Sequence, residues 1–129
     1  MRTALAFFAL TLLPGCGFFY NPAGAFPPRT VTHENSGAGI TLAHGQQLFV
    51  RLPLKAEPGY EWVLREPEVA AVKAEGAPDQ DKEAGIELWT FTPVRDGEQT
   101  LRLEYRRPED YLVAPAQSVS YNLTVEQKP

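Results

Sequence analysis

The residues able to do chemistry are few and poorly placed for catalysis. Cys16 is the only cysteine in the 129-residue chain, and His33 and His44 are its only histidines. A hydrolase triad needs a nucleophile, a histidine and an acid that converge. Here His33 falls in a Gly- and Pro-rich stretch, His44 stands beside a turn signal, and no nucleophile elbow is present. The carboxylate pairs Glu66 with Glu68 and Glu109 with Asp110 lie in polar segments, where solvated charge is their ordinary role. Asp79-Gln80-Asp81-Lys82-Glu83 alternates carboxylates in the manner of hard oxygen ligands for calcium. It lacks the glycine and distal glutamate of an EF-hand and encloses Lys82, so an exposed charged loop is expected. Asn122-Leu123-Thr124 matches a glycosylation triplet but falls inside a strand pattern. The sequence argues against an enzyme, and no cofactor or resident metal is expected.

Cys16 has a more specific reading. Met1-Arg2 gives a short positive region, and Ala4 to Leu13 gives an apolar run of signal-peptide length, too short to span a bilayer. Leu13-Pro14-Gly15-Cys16 then resembles the lipobox of bacterial lipoproteins, with Pro14 an uncommon choice at its position. The resemblance implies cleavage before Cys16, acylation of that cysteine (palmitate among the chains) and stable attachment to a membrane. Lipidation also accounts for a lone cysteine in an exported chain, which leaves no intramolecular disulfide. The expected location is the cell envelope. Gly17 stands where many such lipoproteins carry an inner-membrane retention aspartate, which favours the outer membrane over the outer face of the cytoplasmic membrane.

Lys and Arg number 12 against 16 Asp and Glu, a net charge of −4. The two signs are interspersed, with no basic block, so a nucleic-acid partner is not expected. Three segments follow: a signal peptide at 1–15, a lipidated cysteine and tether at 16–38, and one domain at 39–129, acting as a monomer.

From Gly39 onward, short runs of β-branched and aromatic residues recur about every ten residues between turn signals. Leu48, Val50 and Leu52 share one face of a strand, with Gln47 and Arg51 on the other. Trp89 and Phe91, then Leu101, Leu103 and Tyr105, then Val119, Tyr121, Leu123 and Val125, repeat the device. About seven strands are predicted, near 40–42, 47–52, 60–65, 69–74, 86–92, 99–106 and 117–126. That number in one small domain predicts an all-β, immunoglobulin-like sandwich, with Trp62 in its core.

Three loops then stand out. Pro58-Gly59 fits the central positions of a type II turn and leads directly into Tyr60-Glu61-Trp62. Ala84-Gly85 precedes the strand bearing Trp89 and Phe91. Arg107-Pro108-Glu109 follows the strand that ends near Tyr105. In this order and spacing, from about Gly39 to Glu126, the chain resembles the chagasin-like inhibitors of papain-type cysteine proteases. Members carry an Asn-Pro-Thr-Thr-Gly-Tyr-x-Trp loop, a glycine-rich loop before an aromatic strand, and an Arg-Pro-Trp loop. The resemblance implies three loops at one end of the sandwich that dock reversibly into a protease cleft, with Pro58, Gly59, Tyr60, Gly85, Arg107 and Pro108 at the contact.

Lys55, Ala56, Glu57 and Pro58 replace the family's Asn-Pro-Thr-Thr, and Glu109 stands where the family has tryptophan. These changes spare the residues the fold needs and alter those a protease would touch. Two functions follow as expectations: a membrane-tethered inhibitor of papain-type cysteine proteases, or a non-inhibitory envelope lipoprotein that binds another protein or a glycan through the same fold.

Overall fold

The two-residue alternation of apolar side chains becomes strand after strand with one face turned inward. The computed structural model describes residues 26–126, apart from Lys55, Ala56, Glu66 and Glu68. The strands are β1 (Arg29–Thr32), β2 (Gly39–Ala43), β3 (Leu48–Pro53), β4 (Glu61–Arg65), β5 (Val72–Ala74), β6 (Asp79–Asp81), β7 (Ile86–Pro93), β8 (Gly97–Arg106) and β9 (Gln117–Glu126). They form two sheets. In the first the order is β1-β3-β7-β5, with β6 also paired to β7; in the second it is β2-β9-β8-β4. All pairings are antiparallel except β1 with β3 and β2 with β9.

The core lies between the sheets. Leu48, Val50 and Leu52 of β3 face Phe91 and Trp89 of β7 within the first sheet. Leu101, Leu103 and Tyr105 of β8 and Val119, Tyr121, Leu123 and Val125 of β9 cover them from the second. Burying each large aliphatic side chain contributes roughly 1.5–3 kcal/mol, so the inward rows fix both register and facing. The seven predicted strands are all present, and Trp62 is buried as expected.

Two boundaries differ from expectation. The stretch assigned to the tether already contains β1 and a 3-10 turn at His33–Asn35, capped by the Thr32 hydroxyl accepting from Glu34 N–H at 3.1 Å. Val31 enters the core, and the buried Tyr121 hydroxyl donates to the Thr32 carbonyl at 2.6 Å. Pairing with β3, one inward residue and one long-range side-chain hydrogen bond hold a four-residue strand whose sequence carries no clear period. Asp79–Asp81, expected in a loop, is strand β6; its residues are all exposed, so pairing to β7 holds it, not burial. Residues 1–25, which include Cys16, the expected signal segment and the first part of the expected tether, lie outside the described residues.

The topology gives the sandwich two distinct ends. Pro53 pairs with Ile86 and Glu61 with Arg106, so the β3–β4, β6–β7 and β8–β9 connections share one end. The chain enters at the other. Arg29 N–H donates to the Gln47 carbonyl at 2.9 Å, and Gln46 Nε2 donates to the Pro27 carbonyl at 2.9 Å, beside the β2–β3 turn.

Candidate functional site

The central loop, between β3 and β4, begins in one sheet and ends in the other. Its base is closed by Trp62, whose indole Nε1 donates to the Pro53 carbonyl at 2.9 Å. Its tip is the turn Glu57-Pro58-Gly59-Tyr60, closed by Tyr60 N–H donating to the Glu57 carbonyl at 3.2 Å. Gly59 has φ +80°, the positive value that the third residue of a type II turn requires, as expected from Pro58-Gly59. A side chain there is disfavoured by the backbone itself.

Below the tip lies a cluster of tilted aromatic rings. The Tyr60 ring stands 5.5 Å from that of Tyr105, which in turn stands 5.3 Å from that of Trp62. Tyr105 is buried between the sheets, and burial pushes its hydroxyl above the ordinary 10.0. The turn thus rests on packed rings, with Pro58 and Gly59 exposed above them.

The flanking loops join this turn on either side. The Gly85 carbonyl accepts from Leu54 N–H at 2.8 Å, tying the middle loop to the root of the central one. Gly85 itself has φ +70°, and its N–H closes the turn on the Asp81 carbonyl at 2.8 Å. On the other side the Arg107 guanidinium lies over the Tyr60 ring, 5.2 Å from its centroid. A Cβ added at Gly59 would meet Arg107 Nε at 3.9 Å. The structure therefore brings Tyr60 and Arg107 into contact and sets Gly59 beside them, with Pro58 and Pro108 in the same two turns and Gly85 at the opposite flank. Lys55 and Ala56 lie outside the described residues.

Three features of this end were not anticipated from the sequence. Glu87 points inward at the end of β7 and is buried, accepting from Trp89 Nε1 at 2.7 Å and from Gln80 Nε2 at 3.0 Å. Glu104 and Arg106 lie on the outward face of β8 yet are also buried: three arginine side chains converge on Glu104, and the 107–116 loop closes on Arg106. Arg106 Nη1 donates to Glu104 Oε1 at 2.9 Å, and Nη2 donates to the carbonyls of Asp110 and Val113 at 2.9 and 2.8 Å.

Arg65 and Arg102 reach the same carboxylate at 3.1 and 3.0 Å. Burial pushes the Glu104 carboxyl up, but hydrogen bonds from Arg102, Arg106 and Arg65 outweigh it and hold the group below 4.5. The alternating Arg102-x-Glu104-x-Arg106 was the available signal. It reads identically on a solvated sheet face, so it did not reveal the covering loop.

The Asp79–Glu83 segment serves the scaffold: Asp81 Oδ1 accepts from Ala84 N–H at 3.1 Å, and Gln80 supports Glu87. Among the described residues no three His, Cys, Asp or Glu side chains converge as a metal site.

The architecture is an immunoglobulin-like sandwich that presents three loops at one end, joined by Leu54 N–H to the Gly85 carbonyl and by Arg107 on Tyr60. Residues 41–125 match the chagasin family of peptidase inhibitors, I42, and the chain belongs to that family. Its members are inhibitors of peptidases and not enzymes.

The fold is similar to that of the cysteine protease inhibitor EhICP2 from Entamoeba histolytica, with a TM-score of 0.67 and 18% identity over 78% of this chain and 96% of that one. It is similar also to amebosin, with a TM-score of 0.59 and 25% identity over 78% of this chain and 100% of that one. PbICP-C, from its complex with falcipain-2, aligns with a TM-score of 0.48 and 19% identity over 77% of this chain and 89% of that one. Among curated proteins none matches the sequence.

Proposed function

We propose that this chain is a membrane-tethered, reversible inhibitor of papain-type cysteine proteases, with the central turn entering the protease cleft and the two flanking loops gripping its sides. The observation that carries the reading is the packing of Arg107 on Tyr60, beside Gly59. It makes one continuous surface of two loops on a scaffold of the chagasin inhibitor family. Loops already held by a sandwich lose little freedom on binding. Steric exclusion of substrate requires no reactive group in the inhibitor.

The tether is part of the same proposal. The expected lipid site, Cys16, precedes an entry point at Pro27–Arg29 at the end of the sandwich away from the three loops. Anchoring there leaves the loop end facing outward from the membrane, toward a soluble protease.

Titration of papain with the purified protein tests the reading, with progressive and reversible loss of activity expected. No inhibition at micromolar protein overturns it. That result favours the second reading, a non-inhibitory envelope lipoprotein, whose supporting observation is the replacement of the family's Thr-Thr and loop tryptophan by Glu57-Pro58 and Glu109.

A further inference from the structure

Of the five exposed large apolar side chains among the described residues, the 107–116 loop carries three, the other two being Val69 and Val94. Leu112 is 99% exposed, Tyr111 64% and Val113 54%. Three consecutive apolar residues at a loop tip normally cost solubility without aiding the fold, since none of them contributes to the core. Here the tip is also held in shape. Arg106, 4% exposed, clamps the Asp110 and Val113 carbonyls on either side of Leu112 and places its guanidinium 5.2 Å from the Tyr111 ring centroid. Glu104 in turn fixes Arg106 from below.

A buried ion pair is an expensive way to stabilise a fold. This one is spent on two loop carbonyls, so what it secures is the conformation of the tip. The tip is continuous with the candidate contact surface, because Arg107, at the start of the same loop, packs on Tyr60 of the central turn.

We infer that Tyr111, Leu112 and Val113 form a pre-organised apolar anchor with which the third loop grips an apolar patch beside the protease cleft, Leu112 being the inserting residue. This rests on the inhibitor reading. It supplies the apolar contact that Glu109 cannot make. Pre-ordering by Arg106 lets the tip bury apolar area on docking without first losing loop entropy.

The test measures Ki and dissociation rate against papain for the full chain in detergent, comparing wild type with Leu112→Ser and Leu112→Met. Because Leu112 lies outside the core, both variants keep the wild-type melting temperature. Leu112→Ser is expected to raise Ki about 10-fold, mainly through faster dissociation, while Leu112→Met stays within about threefold. Inhibition by wild type with an unchanged Ki for Leu112→Ser overturns the anchor and leaves the inhibitor reading standing. Failure of wild type itself to inhibit overturns both.

Discussion

Trp62 and Pro53 sit on different sheets, and the 2.9 Å hydrogen bond from the indole Nε1 to the Pro53 carbonyl closes the base of the loop between them. The exposed turn at Pro58-Gly59 therefore projects from a crosslink between the two layers. Pro58 and Gly59 lie above that point and outside the core.

Gly59 separates the two roles. Its positive φ makes any side chain cost about 1 kcal/mol, so Gly59→Ala lowers the melting temperature by roughly 4–8 °C. Gly59→Asn tolerates this conformation better and retains more of the stability. Both place atoms against Arg107, so on the proposed inhibitor function inhibition of papain is expected to fall for both. Differential scanning calorimetry beside the Ki measurement checks this; full inhibition by Gly59→Asn would remove the turn from the contact.

Glu104 and Arg106 respond unequally to substitution. Glu104→Leu leaves Arg106 buried with carbonyls but no anion, and is expected to cost about 3–5 kcal/mol by denaturant unfolding. Arg106→Leu costs less, because Arg65 and Arg102 still pair with Glu104. It does release the Asp110 and Val113 carbonyls, so amide exchange across 110–114 accelerates while β8 stays protected. Equal costs for the two variants would contradict the arrangement.

Stability falls at both extremes of pH for different residues. The folded Glu104 carboxyl lies below its ordinary 4.5. Its contribution is therefore complete above that value and lost as pH falls through the folded value. Urea titrations from pH 7 to pH 2 follow the loss, and Glu104→Gln flattens that limb.

At high pH the tyrosines act. Burial pushes the Tyr121 hydroxyl up to about 12 and that of Tyr105 above 10.0. Their contribution is complete below pH 10 and disappears as pH rises through the folded values. Phenolate absorbance should appear together with loss of circular dichroism between pH 10 and about 12.

Tyr121→Phe removes the hydrogen bond to the Thr32 carbonyl and keeps the ring. A loss of about 1 kcal/mol is expected. Amide exchange should rise selectively in β1, whose other ties are its pairing with β3 and the burial of Val31. Uniform destabilisation without selective opening would show that β1 does not depend on this bond.

The sequence by itself determined the all-β sandwich, the inward rows of β3, β7, β8 and β9, the buried Trp62 and the type II turn at Pro58-Gly59. Each of these is a local pattern, a two-residue period or a turn dipeptide, and local patterns survive without knowledge of neighbours. The same sequence pointed to Tyr60, Gly85 and Arg107 through the resemblance of three short loops to one inhibitor family. Only the tertiary structure decided that Arg107 packs on Tyr60, that β1 belongs to the first sheet, that Glu87 is buried, and that Arg106 lies beneath a loop that exposes Leu112. An outward charge on a strand has one spelling whether water or another loop covers it. Covering depends on where a distant segment folds back, and that is settled by long-range packing and hydrogen bonds such as Arg106 to the Val113 carbonyl and Tyr121 to the Thr32 carbonyl.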